Sequence, residues 1–367
     1  MLDLFFIIFC CLSVLGIKIK ENDNFFSDYM ELDDTNCIKG VFVWLIIFCH
    51  KTGYEKKKYK YIQITHNLGQ NVVSMFLFYS SFGICESIKR KGIDYVQSLR
   101  NKAIILFLKT QIIILMFLIA NIFILNKKIT IKRYILSIIF KLSLGNSNWF
   151  AFTIIIFYIY SYFSFRFTSN NILVGVIIIS LLCFLHAKYV FVYYYPKKFY
   201  AVDTVLCFVV GFYFSLIKKY LDKIIMKNDI FYFGILSIGI LSFYKSSKIE
   251  NLFFKSIRNA IFSILVVFIS MKIKLKNEFL KFLNSHSYSI YLLQRLVMMI
   301  NYEKKIFINN DFIQIFFEFS SIFCISSLFD KYSAYLNKIF PKKKNHISKH
   351  NYIQLDNGNN IILNDNK

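Results

Sequence analysis

The chain has 367 residues, of which 56% are hydrophobic and 18% are charged, whereas a soluble domain has about 45–50% apolar and about 25% charged residues. Its 45 Lys and Arg residues outnumber its 21 Asp and Glu residues by 24, an excess that in a soluble protein would indicate nucleic-acid binding. Here the bases stand between long apolar runs, so soluble enzymes, nucleic-acid-binding modules and secreted disulfide scaffolds are all disfavoured.

Long apolar runs recur along almost the whole chain. A membrane-spanning helix needs about 20 predominantly apolar residues, and eleven segments approach that length. We therefore predict an all-α fold, a polytopic transmembrane helical bundle of about 11 helices, with ten in the core and one at the N-terminus. The candidate segments are 3–19, 36–53, 67–88, 103–126, 148–168, 171–187, 200–217, 230–246, 256–272, 285–301 and 312–330.

The first apolar run, residues 4–17, has the length of a secretory signal. Such a signal needs basic residues before the run and a small-residue cleavage site after it, but only Met-Leu-Asp precedes this run. The first bases, Lys18 and Lys20, follow it. We expect residues 1–32 to form a retained membrane helix and a linker, with the basic end of the helix facing the cytoplasm.

Two linkers, residues 89–102 and 127–147, mix bases with apolar side chains at helical spacing. This pattern is typical of helices that lie in the headgroup layer of a membrane. A plain solvated linker explains it equally well. The tail, residues 339–367, is polar and rich in Asn, and we expect it to be disordered.

Polar residues inside apolar runs are the informative ones, because each costs free energy to place in a bilayer. Lys39 and His50 begin and end one such run. Their separation of 11 residues is about three helical turns, so both lie on one face, roughly 16 Å apart along the axis. The alternative is two ordinary interfacial residues at opposite ends of a helix.

The next run carries a matching polar stripe. Gln70, Ser74 and Ser81 stand at helical spacing on one face, with Ser80 and Glu86 close by. Residues of these types also serve as contacts between packed helices. The stripe alone therefore does not separate a site from helix packing.

Late in the chain, Ser287, Tyr291 and Gln294 again fall on one helical face. Further candidates for buried polar residues are Lys109, Asp203, Gln314 and Glu318. The remaining histidines within the apolar region stand at segment edges, where an interfacial role is the simpler interpretation: His66, His186 and His286.

No nucleotide-binding loop, metalloprotease motif or serine-nucleophile motif is present. The eight cysteines include no CxxC pair and no spacing with histidine that indicates a metal site. We expect them to be small buried hydrophobic residues. Without a nucleophile signal, a lone intramembrane histidine is best suited to general-base or proton-relay chemistry.

Residues 38–51 (IKGVFVWLIIFCHK) place Lys39 and His50 on one helix with ten residues between them. This segment resembles the first core helix of the acyltransferase-3 family of integral membrane enzymes, in which an arginine and a histidine have the same spacing, with Lys39 in place of the arginine and His50 as the histidine. Residues 75–92 (MFLFYSSFGICESIKRKG) resemble the second core helix, with Ser80 as its serine. Three more motifs follow in order: GNSNWF at 145–150, VDTVLCFVVGFYFSLIKK at 202–219 and SHSYSIYLLQR at 285–295.

The resemblance covers about 33–335, and it implies a membrane acyltransferase domain over 33–338. Three positions depart from the family pattern. Lys39 keeps the charge of arginine but lacks its planar, bidentate fork. Ser81 replaces a glycine and adds bulk where helix backbones approach each other. Gln294 stands where many relatives carry a second histidine.

The resemblance implies a multi-pass protein of the cytoplasmic membrane that moves an acyl group, with acetyl as the first candidate, from acyl-CoA to a hydroxyl of a cell-surface carbohydrate. The acceptor is a glycan or a lipid-linked sugar, membrane lipids surround the protein, and neither a metal nor nucleic acid is expected. His50 is the expected general base, and Lys39 contacts the phosphates of the donor or the developing negative charge. The other residues expected to line the substrate cavity are Gln70, Ser80, Glu86, Trp149, Tyr291 and Gln294.

Two alternatives stay open from the residues themselves. Sparse intramembrane charges such as Lys109, Asp203 and Glu318 also suit a transporter or a lipid-linked glycan handler that performs no acyl transfer. The departures at Lys39 and Gln294 also suit an inactive relative that serves as a scaffold.

Overall fold

The computed structural model describes residues 2–54, 62–168, 171–190, 202–304, 306 and 310–336. Within these residues, twelve α-helices and one short antiparallel ribbon form a bundle, and the prediction of an all-α polytopic bundle is confirmed. The helices are α1 (Leu2–Val14), α2 (Leu32–Tyr54), α3 (Ile62–Ile119), α4 (Ile131–Ile138), α5 (Asn148–Phe167), α6 (Ile172–Tyr189), α7 (Val205–Ile225), α8 (Asp229–Ser247), α9 (Leu252–Lys272), α10 (Glu278–Ser285), α11 (Ser287–Glu303) and α12 (Asp311–Ser333). The ribbon joins β1 (Ile17–Ile19) to β2 (Ile273–Leu275), and a π-helix, Ala120–Ile124, continues α3.

Six helical spans of the described chain are long and apolar enough to cross a membrane. Large apolar side chains on their outer faces are exposed, for example Leu181 on α6 and Ile238 on α8. An exposed apolar surface of this extent suits contact with lipid rather than with water. The six spans are Leu68–Ile124, Asn148–Phe167, Ile172–Tyr189, Asp229–Ser247, Leu252–Lys272 and Phe312–Ser333.

The apolar runs predict where helices lie better than where they end. The predicted helix 3–19 stops at Val14, and Gly16, with φ +77°, turns the chain into β1. The predicted helices 67–88 and 103–126 are joined in α3, which is interrupted at Gly92 (φ 56°, ψ −139°). Only glycine adopts such a backbone conformation without strain, so the break lies where the sequence allows it.

The two basic linkers differ in structure. Residues 89–102 are helical, and the side chains of Val96 and Leu99 are buried while most of their neighbours are exposed. Of residues 127–147, only α4 is an α-helix, and it exposes Ile131 and Ile135. A position in the headgroup layer stays a prediction for both, and the predicted disordered tail lies outside the described residues.

The two ends of α2 define the two ends of the bundle. At the N-terminal end of α2, α10 packs so closely that a Cβ on Gly40 would meet the carbonyl of Leu280, and the Asn284 amide donates to Asn36 Oδ1 at 2.9 Å. At the C-terminal end of α2, Lys51 forms an ion pair with Glu318, which lies in the N-terminal half of α12. The helix α12 therefore runs antiparallel to α2.

One face of α2 is fixed by aromatic packing. Trp44 stacks on Phe9 of α1, with ring centroids 4.4 Å apart, and on Phe319 of α12, with centroids 4.9 Å apart. Stacked and edge-on aromatic pairs contribute beyond their buried area. This packing holds α2 in place and leaves its other face to α3 and α11.

A buried lysine ties the ribbon to the start of α2. Lys274 of β2, only 3% exposed, contacts the carboxylates of Asp28 at 2.6 Å and Asp34 at 2.5 Å. The hydrogen bond from Lys274 holds the pKa of Asp28 below its ordinary value of 3.8, although desolvation acts in the opposite direction. Desolvation opposes the charge on Lys274, but its hydrogen bonds to the two carboxylates keep its pKa above 10.5.

Replacing Lys274 with methionine should lower the unfolding temperature, because it leaves the Asp34 carboxylate without its cation. Since the pKa of Asp28 is lowered and that of Lys274 is raised, the stabilisation is complete between the two ordinary values. It is lost as the pH falls through the folded pKa of Asp28 or rises through that of Lys274. Thermal unfolding in detergent should therefore show the largest difference from wild type near neutral pH. A difference that is the same at pH 3 and pH 7 would contradict this linkage.

A close contact between α3 and α7 explains how the chain accommodates Ser81 in place of glycine. A Cβ on Gly211 of α7 would overlap the hydroxyl of Ser81 and the carbonyl of Phe78. The Ser81 hydroxyl donates to that carbonyl at 2.9 Å. The bulk added on α3 is thus accommodated by a glycine on the facing helix, as is usual in membrane helix packing.

The substitution Gly211→Ala should destabilise the protein by about 1–3 kcal/mol, because the backbone carbonyl of Phe78 cannot rotate away from the new methyl group. Gly234→Ala in α8 is the matched control, since a Cβ there meets nothing within 4 Å. Alanine is also the better helix former, so the control should be neutral or slightly stabilising. Unfolding curves of the two variants in the same detergent measure the difference, and equal curves would be inconsistent with the close contact.

Candidate active site

Lys39 and His50 lie on the helix that the packing of α1, α10 and α12 fixes. Both side chains are partly buried. The Lys39 ammonium lies 6.0 Å from the ring centroid of Tyr79 on α3. The His50 imidazole meets the ring of Tyr291 on α11 edge-on, with centroids 6.4 Å apart. The two residues thus point to neighbouring helices, at opposite ends of α2.

A cavity of about 220 Å³ lies between α2, α3, α5 and α11. Its walls are largely apolar, and hydroxyl groups and one amide are the polar groups that line it. This composition is typical of a small-molecule site, in which a few polar groups orient a ligand against apolar walls. The lining residues are Val43, Ile46, Val73, Phe76, Ser80, Leu106, Phe150, Ile154, Tyr158, Ser287, Tyr288, Ile290, Tyr291 and Gln294.

Three of the predicted site residues line this cavity: Ser80, Tyr291 and Gln294. Gln294 is fully buried, and its amide nitrogen donates to the carbonyl of Tyr291 at 3.2 Å. Tyr291 also contacts Phe150, with ring centroids 5.0 Å apart. His50 reaches the cavity through Tyr291, because the same ring lines the cavity and contacts the imidazole.

Unpartnered polar atoms accumulate near His50. Gly69, next to Gln70, lies against Cys49, next to His50, since a Cβ on Gly69 would be 2.7 Å from the Cys49 sulfur. Gln70 Oε1 and Gln294 Oε1 are both buried and have no hydrogen-bond partner in the described part of the chain. Buried polar atoms are normally hydrogen-bonded, so these two oxygens are suited to the donor groups of a bound polar molecule.

Glu86 and Trp149 are not among the residues that line the cavity. The Glu86 carboxylate accepts from Lys89 at 2.8 Å and from the Ser215 hydroxyl at 2.6 Å, which joins α3 to α7. Trp149 is partly buried at the start of α5, and its ring contacts Phe150, which does line the cavity. The substrate-binding roles of both residues stay predictions.

The other intramembrane charges are mostly held in ion pairs. Glu318 is 1% exposed and contacts Lys51 at 2.6 Å. Lys109 contacts Asp330 at 3.1 Å. Asp203 is buried just before α7, and its backbone carbonyl accepts from Asn259 at 3.0 Å.

Most of the residues that line the cavity, including two tyrosines, are not among the predicted site residues. Tyr158 and Tyr288 line the cavity, and the Tyr288 hydroxyl lies 2.7 Å from that of Thr110. Both stand in runs rich in aromatic residues, in a chain with 25 tyrosines. The local pattern does not distinguish Tyr158 from tyrosines that face lipid, whereas Tyr288 belongs to the motif SHSYSIYLLQR, which marked its helix but not its place in the cavity wall.

A comparison with known families decides the class of the protein. The acyltransferase-3 family model, described as an acyltransferase domain, matches residues 32–331. The chain belongs to the acyltransferase-3 family. No curated protein and no solved structure matches it.

Membership of the acyltransferase-3 family makes the protein a membrane acyltransferase, an enzyme that transfers groups other than aminoacyl groups. The resemblance inferred from the five motifs is confirmed, as is the multi-pass membrane topology. The family disfavours the transporter that the sparse intramembrane charges left open. All eight predicted site residues lie within the matched range, and their individual roles stay predictions.

Proposed function

We propose that the enzyme transfers an acyl group, with acetyl as the first candidate, from acyl-CoA to a hydroxyl of a cell-surface carbohydrate or lipid-linked sugar, in the cytoplasmic membrane. The observation that carries this proposal is the edge-on contact of His50 with Tyr291, a residue of the cavity wall. It brings the one histidine at the family position next to a space of about 220 Å³. A base beside an apolar cavity suits a reaction that must exclude water.

His50 acts as the general base of the proposed reaction. Its neutral imidazole takes the proton of the acceptor hydroxyl while the hydroxyl oxygen attacks the thioester carbonyl carbon. A carbon–oxygen bond forms, the carbon–sulfur bond breaks, and the CoA thiolate takes the proton back from the imidazolium. The products are an acyl ester of the sugar and free CoA.

Lys39, toward the other end of α2, binds a phosphate group of the acyl-CoA donor in this proposal. Its ammonium contacts the Tyr79 ring and has no carboxylate partner among the described residues, so its charge is available to a phosphate. The basic segment 89–102 adds further cations on α3, including the exposed Lys91 and Arg100. A cytoplasmic donor would approach from this end, where Lys18 of β1 also lies.

The acceptor requires polar groups near the base. The free oxygens of Gln70 and Gln294 accept hydrogen bonds from sugar hydroxyls in this proposal. Trp149, next to the cavity residue Phe150, offers an aromatic face for a sugar ring. A hydroxylated acceptor is therefore favoured over an apolar one.

The proposal is tested on surface glycans and on purified enzyme. Glycans from cells with and without the protein are compared by mass spectrometry for acyl adducts. Purified protein in lipid nanodiscs is given acetyl-CoA together with those glycans, and free thiol is measured over time. Adducts that are equally abundant without the protein, or thiol release that does not require the glycan, would overturn the proposed acceptor class.

The substitution Lys39→Arg should retain or increase acyl transfer. Arginine keeps the charge and restores the bidentate fork that suits phosphate groups. We expect the Michaelis constant for acyl-CoA to fall, with kcat changed less. Lys39→Met is the paired variant and should raise that constant. Loss of activity in both variants would show that the lysine has a role of its own, for which arginine cannot substitute.

A further inference from the structure

A cluster of polar side chains gathers at the N-terminal end of α2, outside the cavity. His286 stands between α10 and α11, and its Nδ1 lies 2.8 Å from Asp330 Oδ2 on α12. Its other nitrogen, Nε2, lies 3.2 Å from the hydroxyl of Ser327, one turn before Asp330. The imidazole of His286 thus lies between a serine hydroxyl and a carboxylate, with one ring nitrogen near each.

Asp330 is held firmly in this arrangement. Its Oδ1 accepts from the Ser289 hydroxyl at 2.6 Å and from the Lys109 ammonium at 3.1 Å. The other carboxylate oxygen, Oδ2, contacts His286. With the ring proton on Nδ1 donated to Asp330, the lone pair of Nε2 faces Ser327.

A serine hydroxyl next to an imidazole that a carboxylate orients is the arrangement of an activated nucleophile. A hydroxyl within hydrogen-bond reach of an imidazole, itself oriented by a carboxylate, recurs on unrelated folds that perform acyl transfer. Such a set is recognised by geometry rather than by position in the sequence. Ser327, His286 and Asp330 are all partly exposed.

We propose that Ser327, His286 and Asp330 form a second reactive site, in which Ser327 accepts an acyl group from a thioester or an activated ester. The Ser327 oxygen attacks the carbonyl carbon, and His286 takes the hydroxyl proton. A carbon–oxygen bond to the serine forms, the bond to the leaving group breaks, and the leaving group takes the proton from His286. Asp330 orients the imidazole and keeps its proton on Nδ1.

The second site is separate from the proposed base. His50 lies toward the C-terminal end of α2, and the cluster lies toward the other end, where α10 packs on Gly40. None of Ser327, His286 and Asp330 lines the cavity next to Tyr291. The reactivity of Ser327 therefore does not rest on the proposed function, and the two can fail independently.

A fluorophosphonate tests the site directly. Such a probe bonds to an activated serine oxygen through phosphorus and releases fluoride, which makes it a report on nucleophilicity rather than on binding. The wild-type enzyme in detergent is incubated with the probe, and intact-mass and peptide mass spectrometry locate the adduct. We expect one adduct, on Ser327. Removing the base in His286→Gln should slow labelling by at least about 100-fold, and Asp330→Asn should slow it by at least about 10-fold.

Two variants serve as controls. Ser326→Ala removes the neighbouring serine on α12, whose hydroxyl is buried and has no hydrogen-bond partner among the described residues, and it should label like wild type. His50→Ala should also label like wild type, which separates the second site from the first. An adduct on another serine, or labelling of Ser327 that changes less than about two-fold in His286→Gln, would show that the cluster only clamps α3, α11 and α12 together, and would overturn the proposal.

Discussion

Replacing His50 with alanine is expected to reduce acyl transfer by about 10²–10⁴-fold, the usual contribution of a general base. A sugar hydroxyl is a weak nucleophile, and no histidine is among the residues that line the described cavity, so no imidazole of the wall can replace His50 as the base. The loss should fall on kcat, because a base that takes the proton during the attack stabilises the transition state rather than the bound substrate. Acyl adducts on surface glycans, measured at equal membrane abundance of the two proteins, give the result.

His186→Gln is the matched control for His50→Ala. His186 is buried in α6 among Phe157 and Tyr160 and is not one of the residues that line the cavity. Its replacement should leave the adducts close to the wild-type level. Adducts that are equally abundant in wild type and His50→Ala would contradict the assignment of His50 as the general base. His50→Gln adds a second check, since a translocation pathway would tolerate the amide in part, whereas a base would not.

The shared helical face of Lys39 and His50 could be predicted because helical periodicity is local, whereas the role of His50 came from the resemblance to the family. A spacing of 11 residues on one helix fixes a shared face without knowledge of any other helix. Ser80, Tyr291 and Gln294 followed in the same way from motifs on single helices. Contacts between residues on different helices could not be predicted from the sequence, since periodicity carries no information on which helix packs against which.

Glu86 illustrates this limit. On the sequence it lies close to the polar stripe of its helix. In the structure its carboxylate joins Lys89 and Ser215 instead, a contact across 129 positions of the chain. The same holds for Ser327 and Asp330, which stand in an apolar run without a motif and meet His286 only through the packing of α12.

The fold was predictable to the level of class for an energetic reason. A bilayer demands long apolar helices, since unsatisfied backbone groups are too costly in lipid. The runs therefore mark the spanning helices. The ribbon of β1 and β2 depends on the pairing of residues about 255 positions apart, and such pairing leaves no trace in three-residue segments with bases at their centres.

The largest expected effect on stability comes from the buried ion pair next to His50. Lys51 contacts Glu318 at 2.6 Å, and the two side chains are 7% and 1% exposed. Replacing Lys51 with methionine removes this cation from a buried carboxylate, which costs about 3–5 kcal/mol. Unfolding of the purified protein by denaturing detergent should show this loss.

A double substitution separates the cost of an unpaired charge from the value of the pair. Because methionine at both positions removes the desolvation penalty of both ions, the Lys51→Met, Glu318→Met variant should regain most of the stability that Lys51→Met loses. Lys281→Met is the matched surface control, since its partners Asp33 and Glu278 are 78% and 87% exposed, and it should unfold like wild type. A double variant as unstable as the single one would mean that the pair fixes the position of α2 against α12. In that case Lys51→Met should also lower acyl transfer, because His50 precedes Lys51 on the same helix.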